Sequence, residues 1–224
     1  MDGRAARWAG QREARREKVV AAALLAIAEH GPQVSTEQIT ERAAIARPTL
    51  YRHFADAEDL YDAVARRIGE MLVGELAPTM NNPEGSAREI ISRIVHTYVL
   101  WFAANDRLYD YLVSRSLNTR TGEQQPAATV RLQIGEQLRE LLAAYVALLG
   151  GDPRIADPLA FGLIGMVETA AVRWVTSPDP LLDRDELVAH LTGWAWGSLD
   201  VALQAIGVRL DPDAPLPPLS LLQS

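Results

Sequence analysis

The stretch whose reading decides the fold is Ser35-Thr36-Glu37-Gln38-Ile39-Thr40-Glu41-Arg42-Ala43-Ala44-Ile45-Ala46-Arg47-Pro48-Thr49-Leu50-Tyr51-Arg52-His53-Phe54. Ser35 with Gln38 three residues on is a capping box, which predicts a helix start. Ile39, Ala43 and Ile45 can face one way. Leu50 and Phe54, four apart, share one face of a second short helix. Pro48 suits the first turn of that helix, where a missing N–H is no loss. Arg47, Thr49, Tyr51, Arg52 and His53 then stay largely outside the apolar stripe. A guanidinium offers a fork to guanine or phosphate, and hydroxyls bond phosphate oxygens. The stretch reads as a helix-turn-helix with a candidate recognition helix over about 47–53. The candidate DNA-binding residues are Ser35, Thr36, Arg47, Pro48, Thr49, Tyr51, Arg52 and His53.

Charge supports that reading once it is located. The whole chain of 224 residues carries a net −7. Residues 1–55 hold nine Arg or Lys against six acids, so this head is +3 and the remainder −10. A basic head meets DNA while an acidic body is repelled from it.

The run from Ile39 through Ala43-Ala44-Ile45-Ala46-Arg47-Pro48-Thr49-Leu50-Tyr51-Arg52-His53-Phe54 resembles the signature of the TetR family of bacterial transcriptional regulators. The similarity spans roughly 17–60, and Thr49 to Phe54 is its most specific part. The resemblance implies a three-helix head and a long fourth helix. Beyond it the family has a helical domain that binds ligand and dimerises. Two departures stand out. The family usually has Gly in the turn, where this chain has Ala44. It often has Lys at the start of the fourth helix, where this chain has Ala57. The resemblance assigns that Lys to a backbone phosphate, so this contact is in question.

Outward from the motif, residues 13–30 predict a first helix, with Val20, Ala23, Leu24, Ile27 and Ala28 as its buried stripe. Gly31-Pro32 ends it. Residues 1–12 are Arg-rich and predict a flexible arm. That arm is either a loose end or a contact to the DNA backbone or minor groove. Asp56 caps a fourth helix over 56–76, expected to stop before Pro78 and to connect head and body. The expected domains are the arm at 1–12, the helix-turn-helix domain at 13–55, a helical domain at 56–207 and a Pro-rich tail at 208–224. Within the helical domain, helices are predicted near 86–105, 106–118, 127–149, 155–176 and 184–206. A turn is predicted over 121–126. No strand-period run stands out, so the fold class is all-α.

The last two long helices carry Gly162, Gly165, Gly193 and Gly197 among apolar residues. A helical Gly costs up to ~1 kcal/mol relative to Ala, so four of them ask for a reason. Close helix approach is one. They either pack inside one subunit or, as the resemblance implies, pair across a twofold axis into a homodimer. Two copies suit a two-part operator with half-sites about 34–36 Å apart.

Candidate ligand-binding residues are His96, Tyr98, Trp101, Phe102, Tyr109, Arg115, Met166, Glu168, Arg173 and Trp174. They would hold a small, largely apolar effector, or they are core and surface pairs. The absence of Cys excludes disulfides, thiolate metal sites and Cys nucleophiles. The histidines show no metal-ligand spacing, and no metal or cofactor is expected. No apolar run reaches ~20 residues, so no membrane span is expected, and the location is read as cytoplasmic. The basic stretch before Val19 is interrupted by Glu13 and Glu17 and is not read as a signal peptide.

These features point to a ligand-responsive, DNA-binding regulator acting as a repressor on a palindromic double-stranded operator. An all-helical enzyme is the weaker alternative. No phosphate loop, HExxH or nucleophile elbow is present, and no catalytic residue is assigned. A protein-interaction module using the helix-turn-helix face is the third, disfavoured by how polar and basic that face is.

Overall fold

The computed structural model describes residues 3–116 and 126–217, with side chains over 10–114 and 128–217. Among the described residues the chain forms nine α-helices and no strand: α1 (Gly3–His30), α2 (Thr36–Arg42), α3 (Arg47–His53), α4 (Ala57–Asn81), α5 (Ala87–Ala104), α6 (Asp106–Ser116), α7 (Pro126–Leu148), α8 (Ala156–Val175) and α9 (Arg184–Ala205). Contacts divide it into two units, Met1–Glu70 with Asn105–Val130, and Met71–Ala104 with Arg131–Ser224.

In the first unit, α1 packs on α2, α3 and α6. Its buried stripe is broader than the sequence spacing suggested. Val19, Val20, Ala22, Ala23, Ala26 and Ile27 are buried, while Ala28 is exposed. The helix also begins earlier than expected. It starts at Gly3 and takes in backbone expected to form an arm over 1–12. Ala and Arg dominate that stretch, and their propensity outweighs Gly10. The C-terminal end is closed by Gly31, whose φ of 81° lets its N–H reach Ile27 O at 2.7 Å.

Helix α6 also belongs to the first unit, although the sequence placed it in the second domain. Arg107 donates to the carbonyls of Ala28 and Glu29, both at 2.8 Å, and so covers the exposed end of α1. Tyr61 of α4 donates to Leu112 O at 3.2 Å and meets the Tyr111 ring at 5.6 Å. Both anchors tie α6 to residues far away in sequence.

Helix α4 starts where Asp56 predicts, with Asp59 N donating to Asp56 Oδ1 at 2.9 Å. It does not stop before Pro78 but continues to Asn81. Pro78 removes one hydrogen bond, and Met80, 4% exposed, keeps the added turn packed. The turn predicted over 121–126 falls mainly outside the described residues.

In the second unit, α5 packs on α8 and α9. Gly135 of α7 lets Phe161 of α8 approach so closely that a Cβ would sit 2.3 Å from its ring. Asp183 and Glu186 form a capping box that starts α9. The described tail lacks helix, as its prolines predict, yet it is held. Arg88 N donates to Pro212 O at 3.0 Å, Leu216 N donates to Gly85 O at 2.9 Å, and Arg88 Nε reaches Asp213 at 2.7 Å. Among the described residues, the stretch Pro153–Val175 is long and apolar enough to cross a bilayer by length and composition. It is more apolar than the sequence reading allowed. Here it sits in a helical packing, and its Glu168 pairs with Arg131 at 2.6 Å.

Candidate nucleic-acid interface and effector cavity

The capping box is formed at both ends, with Gln38 N donating to Ser35 Oγ at 3.2 Å and Ser35 N donating to Gln38 Oε1 at 2.8 Å. It fixes the start of α2. The turn after α2 puts Ala44 at φ 53°, a left-handed conformation that glycine adopts freely and alanine does not. Ile45 N donates to Thr40 O at 3.0 Å and closes the turn. Helix α3 then spans Arg47–His53 with Pro48 in its first turn.

Leu50 and Phe54 are each 1% exposed and pin α3 to the unit's core. The opposite face is open. Arg47, Pro48, Tyr51 and Arg52 are exposed, and Ser35, Thr36, Thr49 and His53 are half-buried. Arg47 pairs with Glu37 at 2.6 Å, and its guanidinium lies 5.9 Å from the Tyr51 ring centre. Tyr51 and then Glu37 raise the Arg47 pKa. Arg52 makes no ion pair or hydrogen bond among the described residues, which leaves its fork available.

Behind α3, Arg16 holds the motif in place. Its guanidinium donates to Asp59 at 2.6 and 3.0 Å and to the His53 carbonyl at 2.5 Å. It also lies 4.3 Å over the Phe54 ring. The Arg16 hydrogen bonds hold the Asp59 carboxyl at about 2, below its ordinary value. A cleft of about 830 Å³ beside this clamp is lined by Gln11, Arg12, Glu13, Arg15, Arg16, Arg52, His53 and Arg66. Its basic lining suits phosphate. No local signal marks Arg66, because α1, α3 and α4 meet only in the fold.

The second unit holds a cavity of about 130 Å³. It is walled by aliphatic side chains of α5, α7, α8 and α9, such as Ile91, Leu138, Leu142, Ile164 and Leu199. Residues of α4 and the tail, among them Met80 and Leu216, complete it. Of the ten expected ligand residues, Tyr98 alone lines it. Trp101 and Phe102 are buried in the packing of α5 beside Tyr98, whose ring stacks on Phe102 at 4.9 Å. Tyr109 belongs to the first unit. Met166 packs against the core of Leu163, Ala195 and Leu199. Glu168 is held by Arg131 at 2.6 and 2.9 Å, Trp174 Nε1 donates to Leu182 O at 2.8 Å, and His96 and Arg173 are exposed. Arg115 lies outside the residues whose side chains are described. Among the described residues no cluster of His, Asp or Glu could hold a metal.

Residues 19–64 match the bacterial regulatory proteins of the tetR family, and residues 75–209 match the tetracyclin repressor-like C-terminal domain. An uncharacterized HTH-type transcriptional regulator of Mycobacterium tuberculosis is 27% identical over 208 residues, 92% of this chain and 86% of that protein. The HTH-type transcriptional activator FasR of Mycolicibacterium smegmatis is 24% identical over 189 residues, 84% of each. A tetR-family transcriptional regulator from Streptomyces coelicolor has a similar fold, with a TM-score of 0.68 at 20% identity over 86% of this chain and 83% of that one.

Proposed function

The chain belongs to the tetR family of bacterial regulatory proteins and is a DNA-binding transcriptional regulator, and we propose that it is a repressor released from a palindromic operator by a small, largely apolar molecule. The observation that carries this is the division of α3, with Leu50 1% exposed on one side and Arg47, Tyr51 and Arg52 open on the other. Arg47 and Arg52 read base edges or phosphates, Thr49, Tyr51 and His53 add polar contacts, and Ser35 and Thr36 face the backbone. The basic lining of the cleft, Arg12, Arg15 and Arg66, replaces the phosphate contact that Ala57 cannot make.

Homodimerisation through α8 and α9 completes the reading. Gly162, Gly165, Gly193 and Gly197 have nothing within 4 Å of a built Cβ, so no contact inside the subunit needs them. On α9, Gly193, Trp194, Gly197 and Val201 share one exposed stripe, with Trp194 53% and Val201 70% exposed. Such a stripe fits close pairing with a second copy. A regulator of bacterial genes works where the DNA lies, in the cytoplasm.

The effector would bind a state whose two recognition helices miss the half-site spacing. Coupling of ~1–3 kcal/mol changes operator affinity about 5–150-fold. The test is selection of duplexes from a random library, followed by binding at two salt concentrations. A near-palindrome should be selected and bound in a salt-sensitive manner, and Arg52→Ala should weaken binding and relax selection. Recovery of no specific duplex at modest salt sinks the proposal.

A further inference from the structure

The wall of the second unit's cavity is built almost wholly of carbon. Its lining contains no charged residue and no Ser, Thr, Asn, Gln or His. Tyr98, Tyr145 and Trp196 are the lining residues with a polar side-chain atom. The wall carries next to no polar surface, so these three meet the cavity with ring carbon. The Tyr145 hydroxyl in particular is sealed away from it.

The tail contributes to the same wall. Leu210 and Leu216 line the cavity, while the polar groups around them are spent on α5 and the loop before it. Leu216 N donates to Gly85 O at 2.9 Å, Arg88 N donates to Pro212 O at 3.0 Å, and Arg88 Nε donates to Asp213 at 2.7 Å. The helices that form most of the rest bond their own N–H and C=O groups internally. A hydroxyl, carbonyl or charge brought into the cavity therefore gives up its water and finds no partner. A hydrocarbon gives up nothing, and an apolar cavity of ~150 Å³ stays dry and takes benzene. The volume of about 130 Å³ here is close to that size.

We infer that the effector site takes an unsubstituted hydrocarbon of about six or seven carbons, held by burial alone, and selects it by excluding polar groups. This rests on the effector-binding reading above and narrows it to a ligand with no hydrogen-bonding atom inside the cavity. Toluene and phenol isolate the distinction. They have nearly one shape and differ by a methyl in place of a hydroxyl. A site with a hidden donor or acceptor holds both, whereas a wall of carbon holds the first and penalises the second.

The test is calorimetric titration of the full chain at pH 7.5 with toluene, phenol and sodium benzoate. Toluene should bind saturably, and phenol and benzoate each at least ~10-fold more weakly. Two variants locate the binding, since Ala195 and Leu142 both line the cavity. Ala195→Leu fills space and should weaken toluene at least ~10-fold, and Leu142→Ala opens space and should tighten butylbenzene at least ~3-fold. Thermal melts by circular dichroism show that each variant is folded. No saturable toluene binding, or either polar probe within ~10-fold of toluene, overturns the inference. So does a toluene affinity that folded Ala195→Leu leaves unchanged. Should that variant not fold, a butylbenzene affinity that Leu142→Ala leaves unchanged overturns it instead. Operator affinity measured with and without toluene separates this from the function proposed above. Toluene binding that obeys Ala195→Leu but leaves operator affinity unchanged supports the site and removes the release mechanism.

Discussion

Arg16 and Asp59 form a two-point ion pair, at 2.6 and 3.0 Å, between α1 and the first turn of α4. The same guanidinium caps the last carbonyl of α3, that of His53, and covers Phe54. One side chain thus ties together three helices of the DNA-binding unit. The Asp59 pKa sits at about 2 instead of 3.8, chiefly through the Arg16 hydrogen bonds. A lowered carboxylate stabilises the fold above its unfolded pKa, and that stability is lost as pH falls through the folded one. The pair should therefore contribute about 1–2 kcal/mol at neutral pH, with the exposed part screened. This stability should disappear between about pH 4 and pH 2. Asp59→Asn should flatten acid unfolding in that window, read by circular dichroism, and lower the neutral-pH stability. An unchanged acid profile would refute the pair's role.

Ala44 stores strain in the turn. A left-handed alanine costs ~1–2 kcal/mol, part of which glycine returns through its greater freedom when unfolded. Ala44→Gly should stabilise the chain by about 0.5–1 kcal/mol and raise the melting temperature by about 2 °C. A fall in melting temperature would show that the φ of 53° is not maintained in solution.

The Glu37–Arg47 pair sets a limit on DNA affinity. Both side chains are more than half exposed, at 63% and 58%, so the pair adds little to folding. The Glu37 carboxylate nevertheless stands beside the face proposed to meet phosphates, where it repels them. Glu37→Gln should tighten operator binding about two- to fivefold at 100 mM salt, with less gain at high salt. Arg52→Ala should cost about 1–3 kcal/mol, both variants being read by fluorescence anisotropy on labelled operator. If Glu37→Gln weakens binding instead, Glu37 is needed to orient Arg47.

The helix-turn-helix was legible because its signals are local. Ser35 with Gln38, Pro48 in a first turn, and Leu50 with Phe54 each act within four residues. The clamp was not legible, since Arg16 lies 37 and 43 residues from its partners. The cavity was less legible for another reason. Aromatic and charged residues draw attention as ligand contacts, yet Trp174 and Glu168 are committed to partners at 2.8 and 2.6 Å. The lining is mostly aliphatic, and Leu138, Leu142 and Leu199 look like any core residues in the sequence. Tyr98 is the expected residue that does line it. The early start of α1 and the continuation of α4 past Pro78 show propensity and packing overriding composition and a breaker residue.

The α9 stripe gives the last prediction. Trp194 and Val201 lie seven residues apart, two helical turns, and both are exposed alongside Gly193 and Gly197. Leaving such apolar area in water is unfavourable by roughly 25 cal/mol per Å². If two copies cover it, a charge placed there must be buried unpaired at the interface. Trp194→Glu with Val201→Glu should then give a folded monomer in light scattering, with helix content retained because neither residue is buried within the subunit. Each half-site would be bound singly, and the loss of the linked second site should weaken operator affinity by ~100-fold or more. A double variant that remains dimeric and binds its operator normally would place the partner contact elsewhere.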